Sequence, residues 1–221
     1  MRGQPERGSK VSRLQIELYA ILDRAVSRGR DLRDILDAVI AGGCRMVQLR
    51  QKEWSTRQLL PLAKALRDRA REAGVTFIVN DRLDVALAVE ADGLHVGQDD
   101  LPAPIARRLL RLGMILGVSS HSFKQAQQAQ ADGADYVAVG SIYPTATKAE
   151  SQLVGVELLR QLRPLISIPL VAIGGITPEN AGEVIRAGAD GVAVISALCA
   201  AADPTAASRE FFASIKAAKG C

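Results

Sequence analysis

The feature that most constrains this chain is a recurring short apolar run. Eight such runs, at residues 18–22, 46–49, 77–79, 94–96, 114–118, 136–139, 170–173 and 192–195, punctuate its 221 residues. Between them lie stretches with apolar residues at helical spacing, such as Leu32, Ile35, Leu36, Val39 and Ile40 on one face. Short continuous runs of this kind are what parallel strands look like when helices cover both faces of a sheet. A weak internal echo supports the regularity. E-A-D-G-L-H-V-G, A-D-G-A-D-Y-V-A-V-G and R-A-G-A-D-G-V-A-V-I each join a helix end, a glycine turn and a buried strand. Eight strands alternating with eight helices in about 200 residues predict an α/β chain closed into a single (β/α)8 TIM barrel. An open doubly wound sheet is the rival. Residues 1–12 read as a disordered tail and residues 13–221 as one catalytic barrel domain.

Composition enters by exclusion. Apolar residues make up 48% of the chain, too many for a disordered protein. No apolar run approaches the length of a membrane span. Net charge is only +4, and basic residues such as Arg67, Arg69 and Arg71 read as a solvated helix face. We therefore expect neither nucleic-acid nor membrane partners, but small anionic substrates. Cys44, Cys199 and Cys221 lack metal spacing, and the first two sit in apolar surroundings as small core residues. With a polar start that lacks an apolar signal core, this usage points to a reducing cytoplasm. The oligomeric state stays open, a homo-oligomer included.

In such a barrel the active site lies where the strands run into the following loops. After strand two come Gln48, Arg50 and Lys52, which alternation puts on one side. Asn80 and Asp81 follow strand three, and Gln98, Asp99 and Asp100 follow strand four. Parallel strands bring Asp81 and one of the later pair together over one edge. Converging carboxylates near cations suit a hard divalent cation, Mg²⁺, holding a phosphorylated substrate; helix N-capping is the alternative. Ser119, Ser120 and His121 follow strand five. A loop over residues 140–154 follows strand six with Thr145, Thr147 and Lys148, long for a compact domain. Gly174 and Gly175 follow strand seven, and Ser196 and Ala197 strand eight. Gly174, Gly175, Ile195 and Ser196 would cradle one monophosphate on backbone amides, unless the glycines serve a tight turn alone. The opposite side, with Arg50, Lys52, Asn80, Asp81, Asp100, Ser119 and Lys148, suits a metal-bound diphosphate. The matching chemistry is group transfer from a diphosphate to a phosphorylated acceptor. His95, inside an apolar strand, reads as a satisfied core residue; His121 is nearer the mouth.

These residues also carry a resemblance. Q-L-R-Q-K (48–52), V-N-D (79–81), H-V-G-Q-D-D (95–100), G-V-S-S-H-S (117–122), G-S-I-Y-P-T-A-T-K (140–148) and A-I-G-G-I (172–176) occur in order, and together they resemble the thiamine phosphate synthase family. The resemblance implies a transferase. It would join the pyrimidine of hydroxymethylpyrimidine diphosphate to a thiazole ethyl phosphate or its carboxylated form, with pyrophosphate leaving first. It implies Mg²⁺ on Asp81 and Asp100, which singles out Asp100 over Asp99; Asp99 is left as a cap or supporting residue. It puts the diphosphate on Arg50, Lys52, Asn80 and Lys148, with Gln48 and Ser119 on the same substrate. Arg50, Lys52, Lys148 and Ser119 are the expected catalytic set. The thiazole phosphate would lie on Thr145, Ala146, Thr147, Gly175, Ile195 and Ser196, under a mobile lid formed by residues 140–154. Three alternatives remain: a thiazole tautomerase-like paralog, which would not need the combined acid and cation set, a non-catalytic phosphate-binding barrel, and another phosphosugar barrel enzyme.

Overall fold

The computed structural model describes residues 14–145 and 152–220. The expected tail, Ala146, Thr147, Lys148 and Cys221 lie outside the described residues. Eight parallel strands pair in chain order: β1 (Leu18–Asp23), β2 (Met46–Arg50), β3 (Thr76–Asn80), β4 (Gly93–Val96), β5 (Ile115–Ser120), β6 (Tyr136–Val139), β7 (Leu170–Ile173) and β8 (Gly191–Val194). β8 pairs with β1, so the sheet closes into a barrel. Among the described residues the helices are α1 (Leu32–Ala41), α2 (Thr56–Glu72), α3 (Leu83–Ala88), α4 (Ala103–Leu109), α5 (Phe123–Ala131), α6 (Glu157–Leu162), α7 (Pro178–Arg186), α8 (Ser196–Cys199) and α9 (Pro204–Lys219), with one 3-10 turn at Arg24–Val26. Eight of the helices match the sequence expectation. The four-residue α8 is additional, since a single turn leaves no periodicity to read.

Alternation along the strands divides the core in two. Leu18, Ala20, Leu22, Val47 and Leu49 point outward and pack beneath the helices. Tyr19, Ile21, Met46, Ile78, Tyr136, Ala138, Val171 and Ala193 point inward and fill the barrel. Each fully buried leucine contributes roughly 2 kcal/mol by leaving water. Cys44 and Cys199 are buried as expected.

The repeated A-D that opens alternate strands has a physical cause. Asp92, Asp135 and Asp190 each donate a backbone N–H to a carbonyl at the start of the preceding strand (Phe77, Leu116 and Leu170) at 2.7–2.9 Å. Each carboxylate then accepts the N–H of that same residue, at 2.8, 2.7 and 2.7 Å. These two-point clamps hold the amino-terminal rim of the barrel, away from the mouth.

Helix starts follow the capping signals. Asp31 accepts from the Arg33 N–H at 2.9 Å. Ser55 and Gln58 form a reciprocal capping box, which settles Ser55 rather than Thr56 as the cap of α2. One charge departs from expectation. Arg67 is not on a solvated face but on the buried side of α2, in line with Leu59, Ala63, Leu66 and Ala70. Its stem serves as packing, and its Nε has no hydrogen-bond partner among the described residues.

Candidate active site

At the carboxyl end of the barrel two cavities adjoin. One is lined by Gln48, Arg50, Lys52, Asn80, Asp81, His95, Gly97 and Asp100, among others. The other is lined by Thr145, Gly174, Gly175, Ile195, Ser196 and His121, among others. Ser119, Ile173 and Ile195 line both. They enclose about 500 and 640 Å³ respectively, open mouth included. Every described residue expected to hold a diphosphate or metal lines the first, and every described residue expected to hold a monophosphate lines the second. The cause is register. Asp23 pairs with Arg50, Gln48 with Ile78 and Asn80 with His95, and these inward positions converge on the mouth.

The two acids meet as expected. Asp81 and Asp100 lie within hydrogen-bonding reach of each other. Burial, and next the Asp100 carboxyl, push the Asp81 carboxyl up to about 6 against the pull of Lys52. The Lys52 Nζ stands 3.4 Å from Asp81 Oδ2. Asp100 Oδ2 accepts the Gly97 N–H at 2.9 Å, and a side chain on Gly97 would meet that oxygen at 2.7 Å. Neither acid caps a helix: the N-cap position is Arg82 for α3 and Pro102 for α4, both without a side-chain cap bond. Asp81 has φ +60, a left-handed conformation costing roughly 1 kcal/mol or more at a non-glycine residue, so the chain bends there to aim a carboxylate inward. Asp99 is exposed and lines neither cavity, and its expected role as a cap fails because Pro102 opens α4.

The opposite side is built from backbone. Gly174 and Gly175 have φ +100 and +64. A Cβ on Gly174 would sit 2.1 Å from Ser141 Oγ, and one on Gly175 would sit 2.5 Å from the Pro144 carbonyl. Both glycines are therefore demanded by conformation and by close approach. Tyr143 N–H donates to the Gly174 carbonyl at 3.0 Å, and Asn180 Nδ2 to the Gly175 carbonyl at 3.0 Å. The loop after β6 is thus zipped onto the loop after β7, and the start of α8 closes the cavity at Ser196.

Two residues change standing. Asp23, at the end of β1, is buried and ion-paired with Arg50, so Arg50 is both a structural partner and a lining residue. Its signal was an acid at a strand end, in register with an arginine on the next strand. His95 is buried and bonded, as expected, but it faces the mouth. Its Nε2 lies 2.8 Å from Ser119 Oγ. His121 Nδ1 contacts the Gly140 carbonyl beside the second cavity.

Two carboxylates at the acid side fit a divalent cation. Among the described residues no cluster of three or more His, Cys, Asp or Glu groups is placed to hold a metal. A cation between Asp81 and Asp100 would relieve their repulsion, and it would leave positions for phosphate oxygens and water, the coordination Mg²⁺ favours.

Comparison with known proteins identifies the family. The family described as Thiamine monophosphate synthase matches residues 18–198. The chain is 51% identical to the thiamine-phosphate synthase of Moorella thermoacetica, covering 93% of this chain and 99% of that one. It is 54% identical to that of Chloroflexus aurantiacus, covering 87% and 89%. A solved thiamine phosphate pyrophosphorylase from Pyrococcus furiosus aligns with TM-score 0.85 at 37% identity, over 92% of this chain and 97% of that one. The chain belongs to the thiamine monophosphate synthase family and is a transferase.

Proposed function

We propose that the chain transfers the hydroxymethylpyrimidine group from its diphosphate to the ring nitrogen of a thiazole ethyl phosphate or its carboxylated form. The observation that carries this reading is the adjacency of an acid-and-cation cavity and a glycine-walled cavity that share Ser119, Ile173 and Ile195. The C–O bond to the diphosphate breaks first, and its electron pair leaves with the diphosphate. The thiazole nitrogen then donates its lone pair to the pyrimidine cation, forming the C–N bond of thiamine phosphate. A carboxylated acceptor also loses carbon dioxide.

In this reading Asp81 and Asp100 would hold Mg²⁺, which would supply positive charge where negative charge gathers on the diphosphate. Arg50, oriented by Asp23, and Lys52 flank the same group, with Asn80, Gln48 and Ser119 beside it. Lys148, outside the described residues, belongs to this set. Thr145, Gly175, Ile195 and Ser196 hold the thiazole phosphate, together with Ala146 and Thr147 outside the described residues. Closure over both substrates keeps water from the cation.

The test is a two-substrate assay. Pyrophosphate and thiamine phosphate should form only with both substrates and Mg²⁺ present. Conversion of the thiazole phosphate alone would support a tautomerase instead, and binding without any product would support a sensor. Lys148→Ala should slow turnover more than it weakens thiazole phosphate binding; equal losses would assign it a general positioning role.

A further inference from the structure

The floor of the acid side is unexpectedly polar. Tyr19 and Tyr136 are the largest fully buried side chains among the described residues, 1% and 0% exposed, among Ile16, Met46, Ile78 and Val171. Their hydroxyls meet at 2.9 Å. Gln48 Nε2 donates to the Tyr19 hydroxyl at 2.6 Å. On the other side the Tyr136 hydroxyl lies 2.9 Å from His95 Nδ1, and His95 Nε2 lies 2.8 Å from Ser119 Oγ. A chain of five groups thus crosses the barrel from β2 to β5, and both its ends, Gln48 and Ser119, line the acid-side cavity. The fold makes room for it. A Cβ on Gly117 would sit 2.0 Å from Tyr136 Cζ and 2.2 Å from its hydroxyl. Phenylalanines would fill the same space without the cost of burying hydroxyls.

Such a chain has a direction. Burial raises both phenols well above their ordinary range, so each keeps its single proton to donate. With Gln48 donating to Tyr19, the arrangement that leaves no proton of the chain unused has the Tyr19 O–H donating to Tyr136 and the Tyr136 O–H donating to His95 Nδ1. A neutral imidazole that accepts at Nδ1 carries its proton on Nε2. In that arrangement the proton goes to Ser119 Oγ, which leaves the Ser119 hydroxyl hydrogen for the cavity. Ser119 stands where the two cavities join, the place where the transferred group changes partners.

We propose that Tyr19, Tyr136 and His95 are positioning residues that form a polarised relay, locking His95 as its Nε2–H tautomer and so making Ser119 a hydrogen-bond donor to the departing diphosphate oxygen. The donor role rests on the transfer reading above; the tautomer lock does not. Negative charge grows on that oxygen as the C–O bond breaks, so the donation strengthens in the transition state and acts on kcat. Without the Tyr136 hydroxyl, the ring is free to carry its proton on Nδ1. Nε2 then accepts from Ser119, and the donor is turned away from the substrate.

The test pairs a spectrum with kinetics. The chain has 2 histidines, so ¹⁵N-labelled protein gives two imidazole patterns in long-range ¹H–¹⁵N correlation, and His121→Asn assigns them. The relay requires His95 to be the Nε2–H tautomer in the native chain and to lose that preference in Tyr136→Phe. The same variant should lose about tenfold or more in kcat, short of the roughly hundredfold cost of losing a whole transition-state donor, with both KM values within about threefold. In a Ser119→Ala background, Tyr136→Phe should cost nothing further, whereas a packing defect would add. Tyr19→Phe, which leaves the Tyr136 ring in place, should show the same effects at smaller size and serves if Tyr136→Phe does not fold. An Nδ1–H tautomer in the native protein would overturn the relay, as would an unchanged kcat in both variants or additive losses with Ser119→Ala. If the native chain makes no thiamine phosphate, the transfer reading fails while the tautomer result still judges the lock.

Discussion

The two halves of the barrel mouth are built in different ways. After β2 to β5 the wall is made of side chains: Arg50, Lys52, Asn80, Asp81, Asp100 and Ser119. After β6 to β8 it is largely backbone, with Gly174 and Gly175 in left-handed conformations and packed on the loop at Ser141 to Pro144. The difference teaches where substitutions should bite. A side-chain wall can lose its chemistry while keeping its shape. A backbone wall can lose its shape with no functional side chain removed.

The largest expected effect follows from the acid pair. Asp81→Ala should lower kcat about a thousandfold, at the upper end for loss of one transition-state stabiliser, as read by steady-state rates of pyrophosphate release. An unchanged rate would remove Asp81 from the site. Next comes Asp23→Ala, which leaves the partly buried Arg50 guanidinium without its buried partner. Turnover should fall and the fold should lose about 3 kcal/mol in a denaturant titration. Loss of stability without loss of turnover would make Arg50 purely structural. On the backbone side, Gly175→Ala should raise KM for the thiazole phosphate by about tenfold while kcat at saturation stays within about threefold. A fall in kcat alone would mean that this wall acts in chemistry, and the contrast between the halves would dissolve.

The smallest effect is on stability, and it has a definite sign. Asp81 is held at about 6, above the ordinary 3.8, so its ionised form costs folding free energy above pH 6, and that cost fades as pH falls through 6 toward 4. Asp100→Asn removes a neighbour that contributes to the rise. In metal-free buffer it should therefore raise Tm by about 3 °C at pH 8, with the gain vanishing near pH 4. A gain of equal size at both pH values would point to packing rather than to charge.

Much of this mouth was legible from the chain. The eight strands fall within one or two residues of the apolar runs, because a strand buried on both faces has no polar position to blur its ends. Arg50, Asp81 and the Asp99–Asp100 pair stood out as charges gathered at the ends of neighbouring apolar runs, and the family resemblance alone singled out Asp100. Other features were hidden for physical reasons. The relay escaped because Tyr19 and Tyr136 look like ordinary core residues within apolar runs, and their partners lie 29 to 117 residues away. Asp23 escaped because its meaning comes from the β1–β2 register that sets it opposite Arg50. Asp99 and Asp100 are neighbours alike in composition; only the turn at Gly97 separates them, engaging Asp100 and leaving Asp99 exposed.

The measurement that tests the division of the mouth most directly is calorimetric titration of the Asp100→Asn variant with each substrate separately. The account predicts that Mg²⁺-dependent binding of the pyrimidine diphosphate is lost, while the thiazole phosphate binds within about twofold of the native affinity. Parallel loss of both affinities, or diphosphate binding that is undiminished and still Mg²⁺-dependent, would contradict it.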